Sequence, residues 1–299
     1  MSCKLAVDTF IQQVVSGLAT GSIYAALALA LVMIYEATDV VNFAQGEMAM
    51  FATYICWAML SAGVPYWGAF CGTLAIAFAG GLLIERIVIR PVENAPILTI
   101  VIITIGLLEI FNSLAGWIFS YVQKPFPSPF PKEPVRFGEI VLGSHDLGQI
   151  GVTLAVLACI FVFFRFTPLG LAMRAAAQNP VSSRLVGIRV GWMLALGWGL
   201  AAMFGAVAGM MIAPIVFLEP NMMGGIQIYA FAAATLGGFT SPVGAVVGGL
   251  IVGVVENLVG TYVSFIGTEL KLTVALAMII IVLLVKPSGL FGRAVVRRV

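Results

Sequence analysis

The chain has 299 residues, of which 61% are hydrophobic and only 9% charged, with a mean hydropathy of +1.10. An average soluble domain carries about 25% charged residues, so this chain lacks the polar side chains to coat a globule in water. A soluble enzyme and a nucleic-acid binder are excluded, and the net charge of +2 gives no electrostatic footprint for an anionic partner.

At about 20 apolar residues per span, charge-free runs mark the crossings. Thr9–Tyr35 comes first. It is far longer than the roughly 7–15-residue apolar core of a secretory signal, so it is expected to be retained. A polar stretch, Glu36 to Glu47, precedes Met48–Ile84, which is long enough for two spans broken at Ser61–Pro65. After the charged patch Glu85–Glu93 comes Ile97–Tyr121, interrupted by Glu109. Lys124–Asp146 is a proline-rich external loop, Leu147–Phe164 spans again, and Arg165–Arg189 is a basic loop. Val190–Leu218, Val243–Phe265 and Leu272–Val285 complete the apolar set. Gln227–Phe239 is short: it either crosses or only enters the bilayer, because broken helices are tolerated where protein shields the backbone. The expected fold is an all-α polytopic membrane protein of eight to nine transmembrane helices, one broken or re-entrant, in a single domain over 1–299.

Orientation follows the basic residues. Arg86 and Arg90, then Arg165, Arg174, Arg184 and Arg189, then Lys286, Arg293, Arg297 and Arg298 collect on one side. Lys4, Lys124, Lys132, Arg136 and Lys271 remain on the other. The C-terminus is therefore expected in the cytoplasm. Nine crossings put the N-terminus outside, and eight put it inside.

Glycines at four-residue spacing occur at Gly17/Gly21, Gly205/Gly209, Gly244/Gly248 and Gly249/Gly253. In lipid, helices associate where small residues let backbones approach, so these pairs predict close crossings. Four cysteines (Cys3, Cys56, Cys71, Cys159) lie far apart without metal-ligand spacing, and the single histidine, His145, sits in a polar loop. No Gly-Lys pair occurs, so there is no P-loop, and any energy for uphill work enters from a partner subunit or an ion.

Carboxylates near apolar stretches are candidates for function, because an acid at membrane depth is costly. Glu36, Asp39 and Glu47 are expected at the cytoplasmic interface. Glu109 and Glu256 fall inside spans and act either in a pathway or as hydrogen-bonded packing residues. The stretch Asp39–Glu47, with Asn42, Gln45 and Gly46, reads either as a helix break beside a solute pathway or as an interfacial turn capped by Asn42 and Gln45. Pro168–Pro180 contains a short run of helix formers that stops at Asn179-Pro180, where proline disfavours a preceding helical residue. It suits either a knob for a partner's groove or an amphipathic helix held by anionic membrane lipid.

These blocks carry a resemblance. Gly17–Ala28, Val41–Glu47, Gly170–Pro180 with Gly187-Ile188, and Leu236–Gly244 closely resemble the permease subunit of bacterial branched-chain amino acid ABC transporters. The resemblance implies a heteromeric importer in the inner membrane, with a sister permease, two cytoplasmic ATPases and a periplasmic solute-binding protein. It implies alternating access, no catalytic residues or cofactor in this chain, and ATP and magnesium held by the ATPases. The loop 165–189 would then be the ATPase-coupling element, with Gly170, Arg174, Ala175, Gln178, Asn179, Pro180 and Gly187 as its residues. Asn42, Gln45, Gly46, Glu47 and Glu256 would line the translocation pathway. In this loop Arg174-Ala175-Ala176 replaces the Glu-Ala-Ala form of other ABC importers. A related permease for urea or short amides is the alternative, followed by an ATP-independent channel or carrier.

Overall fold

A computed structural model of the chain describes residues 2–38, 40–93, 95–131, 133–137, 140–267 and 270–292. Asp39, Lys132, Arg293, Arg297 and Arg298 lie outside the described residues, as do the side chains of Lys4 and Arg136.

Eleven α-helices are described: α1 (Ser2–Thr38), α2 (Gln45–Ser61), α3 (Tyr66–Ile84), α4 (Ile97–Phe119), α5 (Ser144–Phe166), α6 (Pro168–Gln178), α7 (Pro180–Leu185), α8 (Val190–Val216), α9 (Gly224–Gly237), α10 (Pro242–Tyr262) and α11 (Lys271–Val285). A small antiparallel hairpin, β1 (Val135–Phe137) with β2 (Ile140–Leu142), pairs Val135 with Leu142. Among the described residues, six helical stretches are long and apolar enough to cross a membrane: Thr9–Glu36, Tyr66–Val92, Ile97–Phe119, Ser144–Phe166, Val190–Val216 and Pro242–Tyr262. The helices α2, α9 and α11, at 17, 14 and 15 residues, are about 26, 21 and 22 Å long at 1.5 Å per residue. Each is shorter than a hydrocarbon core of about 30 Å. Of the expected eight to nine spans, six are thus found at membrane-spanning length among the described residues.

The chain divides into two compact units, with α1 and α5 contributing to both. One comprises Met1–Leu29, Ser128–Thr153 and Gly225–Val299. Here the glycine pairs meet as predicted. A Cβ on Gly17 would stand 2.7 Å from the Val254 Cα, and one on Gly21 would stand 2.8 Å from the Gly249 carbonyl oxygen. On the other edge of α10, a Cβ on Gly248 would lie 3.0 Å from the Gly237 nitrogen of α9. The segment after α11 pairs with the end of α9 through Leu290 N to Leu236 O (2.8 Å) and Phe291 N to Gly237 O (3.0 Å). The hairpin is tied to α1 by Gln12, whose Nε2 donates to Val141 O (2.5 Å) while Val141 N donates to its Oε1 (3.0 Å).

The other unit comprises Ala30–Pro127 and Leu154–Gly224. Its centre is α8, buried along most of its length. On one side α3 crosses it, with Gly81 against the Trp198 carbonyl and Gly199 against the Phe78 carbonyl. On another, Gly205 and Gly209 admit α2: a Cβ on Gly209 would lie 2.7 Å from the Ala49 carbonyl oxygen. Beyond Ile84, α3 widens into a π turn, Glu85–Ile89. There Arg90 forms an ion pair with Glu85 (3.1 Å) and donates to Gly191 O at the start of α8 (2.5 Å).

Replacing Gly21 with Leu drives a side chain into α10 backbone, which cannot give way. Overpacking of this kind costs about 1–3 kcal/mol or more, so the variant is expected to lose its monodisperse peak in detergent size-exclusion chromatography. Gly80→Ala, where an added Cβ meets nothing within 4 Å, is expected to elute as the unmodified protein does.

Candidate functional site

Polar side chains buried inside apolar helices must find partners in the protein, and in the α8-centred unit they do so around a break in the chain. After α1 ends at Thr38, residues 40–44 are non-helical, and Val40, Asn42 and Ala44 are all buried. The Asn42 Oδ1 accepts from Ala44 N (3.0 Å), and its Nδ2 donates to Gln45 Oε1 (3.2 Å). The Gln45 Nε2 donates to Ala201 O of α8 (2.9 Å). Gly205 makes room for it, since a Cβ there would stand 2.5 Å from that nitrogen. Gly46, the second residue of α2, is buried.

Ala201 lies about 17 Å from the start of α8, well inside a helix long enough to span. Glu47, 5% exposed, accepts from Asn112 Nδ2 at 3.5 Å, and Asn112 lies about 22 Å along α4 and about 10 Å from its end. These neighbours place the first turn of α2 beside the middle of α8 and α4, two helices long enough to span. A polar stretch after a long apolar run looks like a loop in sequence, and here the chain turns back among helices that shield it.

Asn112, passed over in favour of Glu109 in the sequence, is the organising residue. Its Nδ2 also donates to Pro220 O (3.0 Å) and Asn221 Oδ1 (3.0 Å). It therefore joins the first turn of α2 to the non-helical stretch 217–223 that precedes the short α9. Glu109 is exposed one turn earlier on α4. Glu256 belongs to the other unit, where it is buried and accepts from Tyr24 Oη (2.7 Å), with the Tyr24 and Tyr229 rings stacked at 4.7 Å.

The basic loop folds as two short helices. Thr167 caps α6 by accepting from Gly170 N (3.0 Å), and Asn179 caps α7 by accepting from Ser182 N (2.9 Å). Pro168 and Pro180 occupy first positions, where a missing N–H costs nothing. Gly170, Met173 and Ala176 form the buried face of α6. A Cβ on Gly170 would lie 2.6 Å from the Phe164 Cα, so that glycine serves close packing on α5 and not a turn. Gly187, at φ +86°, does make the turn that ends α7. Arg174, Gln178, Asn179 and Pro180 are exposed and Ala175 is half-buried. Leu171, Val181, Leu185 (84% exposed) and Val186 accompany them on the surface. Beneath α6 a cavity of about 40 Å³ is lined by Met33, Glu36, Met173, Arg174 and Met193, among others.

Membrane-length helices, helix breaks lined with amides and a short surface helix pair mark a polytopic membrane protein of the transport-permease class. The chain matches the family described as branched-chain amino acid transport system / permease component over residues 13–283. It is 34% identical to the high-affinity branched-chain amino acid transport system permease protein LivH of Salmonella typhimurium, across 97% of this chain and 98% of that protein. It is 32% identical to the corresponding permease protein BraD of Pseudomonas aeruginosa, with the same coverage. Among solved structures, PsaBC from Streptococcus pneumoniae in complex with Fab shares the fold, with a TM-score of 0.51 and 15% identity over 93% of this chain and 92% of that one. The chain belongs to the branched-chain amino acid ABC transporter permease family.

Replacing Asn112 with Leu strips the Pro220 carbonyl, the Asn221 amide oxygen and the Glu47 carboxylate of a shared donor. Of these, Pro220 and Glu47 are buried, and a buried acceptor left unsatisfied costs about 1–3 kcal/mol, so the melting temperature in detergent is expected to fall clearly. Ser113→Ala, at the exposed neighbouring position, is expected to leave it unchanged.

Proposed function

We propose that this chain is the gate-forming subunit of an ATP-driven importer of branched-chain amino acids, working by alternating access in the bacterial inner membrane. Its partners are a sister permease, two cytoplasmic ATPases that bind ATP and magnesium, and a periplasmic solute-binding protein. The chain itself makes and breaks no bond in the solute.

The observation that carries this reading is the α6–α7 surface. One face is seated on α5 and α8 through Gly170, Met173 and Ala176. The other presents Leu171, Arg174, Gln178, Val181 and Leu185 outward. Exposed leucines and valines beside a cation at the end of a membrane bundle suit a protein groove. Because α6 is anchored at the start of α8, a displacement there moves the helix that carries the Gln45 contact. The 165–189 segment is thus a mechanical link between an external motor and the α1–α2 break, where Asn42, Gln45, Gly46 and Glu47 stand. The two breaks, 40–44 before α2 and 217–223 before α9, extend two of the short helices. With α11 counted as a span, the chain makes nine crossings, which puts the N-terminus outside and the C-terminus in the cytoplasm. Single-domain behaviour over 1–299 and a pathway role for Glu256 belong to the same reading.

Arg174→Glu reverses the charge on the docking face without touching the buried face of α6. Co-purification of the ATPases and leucine uptake are both expected to drop, by about tenfold for a lost charged contact, while membrane insertion stays intact. Normal uptake with normal ATPase recovery in that variant would refute the coupling role.

A further inference from the structure

Two residues with side chains stand in backbone territory that suits glycine. Ser120, which ends α4, has φ +65° and ψ +164°, and Phe217, which ends α8, has φ +64° and ψ +155°. Among the described residues these are the two non-glycine positions with positive φ. Such conformations are costly and persist only where the surroundings impose them. Both side chains are exposed, so their own packing does not explain the strain.

The imposing contact follows directly after each of them. Leu218 N donates to Lys124 O and Lys124 N donates to Leu218 O, both at 2.9 Å. This is an antiparallel bridge between the chain leaving α4 and the chain leaving α8. Leu218 is fully buried, so no water stands ready to replace these bonds. The Lys124 ammonium lies over the Trp57 ring near the end of α2 at 4.8 Å, a cation–π contact. Phe126 is buried, with its ring edge-on to Tyr66 at the start of α3 (6.4 Å). Residues 120–127 thus form a strap that ties the ends of α4 and α8 to the α2–α3 turn. Asn112, two turns before Ser120, holds the same 217–223 stretch through Pro220 and Asn221.

A brace built to stay shut gains nothing from strain at both of its ends. When the bridge breaks, Ser120 and Phe217 relax, and that release offsets part of what the bridge loses, as in a two-state element. Both α4 and α8 begin beside the arginine-bearing segments 85–93 and 165–189. In the orientation of the proposed function, both therefore end on the periplasmic side.

We propose that the Lys124–Leu218 bridge is a spring-loaded latch at the periplasmic end of the α8-centred unit, closed in this structure and opened when the binding protein delivers its solute. This inference rests on the reading of the chain as an importer subunit and adds the contact that holds the outer gate.

The test uses the assembled complex in proteoliposomes with its binding protein and ATP. In a cysteine-free background, Lys124→Cys with Leu218→Cys puts thiols on residues that face each other across the bridge. Their Cα atoms stand about 5.5 Å apart in such a pair, within disulfide reach. Oxidation is expected to stop leucine uptake, and a reductant to restore it. Uptake unaffected by oxidation, with the disulfide confirmed by mass spectrometry, overturns the latch and leaves the proposed function standing. A wild-type complex that takes up no leucine overturns the proposed function instead. In that case, or if the reduced pair does not transport, the latch is read from the rate of disulfide formation. That rate is expected to fall about tenfold when binding protein and a non-hydrolysable ATP analogue shift the population to the open state; equal rates overturn the latch. Ser120→Gly is an independent arm that removes no buried group. Glycine ordinarily costs stability through the freedom of the unfolded chain, but here relief of strain is expected to raise the melting temperature in detergent by about 2–4 °C. Favouring the closed latch, the same variant is expected to take up leucine severalfold more slowly. A lower melting temperature or unchanged uptake in it overturns the latch.

Discussion

A backbone that leaves helical geometry inside a bilayer has no water to bond, and that constraint governs this protein. The break between α1 and α2 exists because the protein supplies what water would. Asn42 closes the turn onto Ala44 and Gln45, and Gln45 anchors the first turn of α2 to a carbonyl of α8. Asn112 does the same for the stretch before α9, through Pro220 and Asn221. Three amide side chains thus hold open two places where polar groups persist among apolar helices.

Those amides reach their partners only because the helices approach closely. Gly205 is the seat of the Gln45 amide, and Gly209 receives Ala49 and Thr53. Glycine spacing is therefore part of the polar site as well as of the bundle: an alanine at Gly205 would push on the hydrogen bond that orders the break. In the other unit the same device brings α1, α9 and α10 together around Gly17, Gly21, Gly248 and Gly249. In membranes, where burying apolar surface against protein gains little over lipid, packing of this kind carries the association.

The sequence made the packing legible, because small residues four apart declare a helix face by themselves. It also bounded α6 and α7, since Pro168 and Asn179-Pro180 are local signals that act without tertiary help. Depth was not legible. Glu47 and Asn42 look interfacial to any window average, and only the pairing of Glu47 with Asn112, 65 residues away, and of Gln45 with Ala201, 156 residues away, reveals that they lie among spanning helices. The role of Asn112 was hidden for the same reason, as its partners at 220 and 221 are remote in sequence. Gly170 showed a different limit: it falls in a stretch read as a basic loop, but it lies inside α6 against the backbone of α5. The family resemblance was carried by contiguous motifs and needed no such pairing.

The central claim is that α2 begins at bilayer depth and not at its surface. Nitroxide labels placed singly from position 40 to position 52, in a cysteine-free background, measure this directly through their relative accessibility to oxygen and to a water-soluble nickel chelate. The account predicts that labels near Glu47 report a depth close to the bilayer centre, with chelate access periodic along one face of α2. A monotonic gradient that places positions 40–47 at the headgroup level would contradict it and restore the simple interfacial turn.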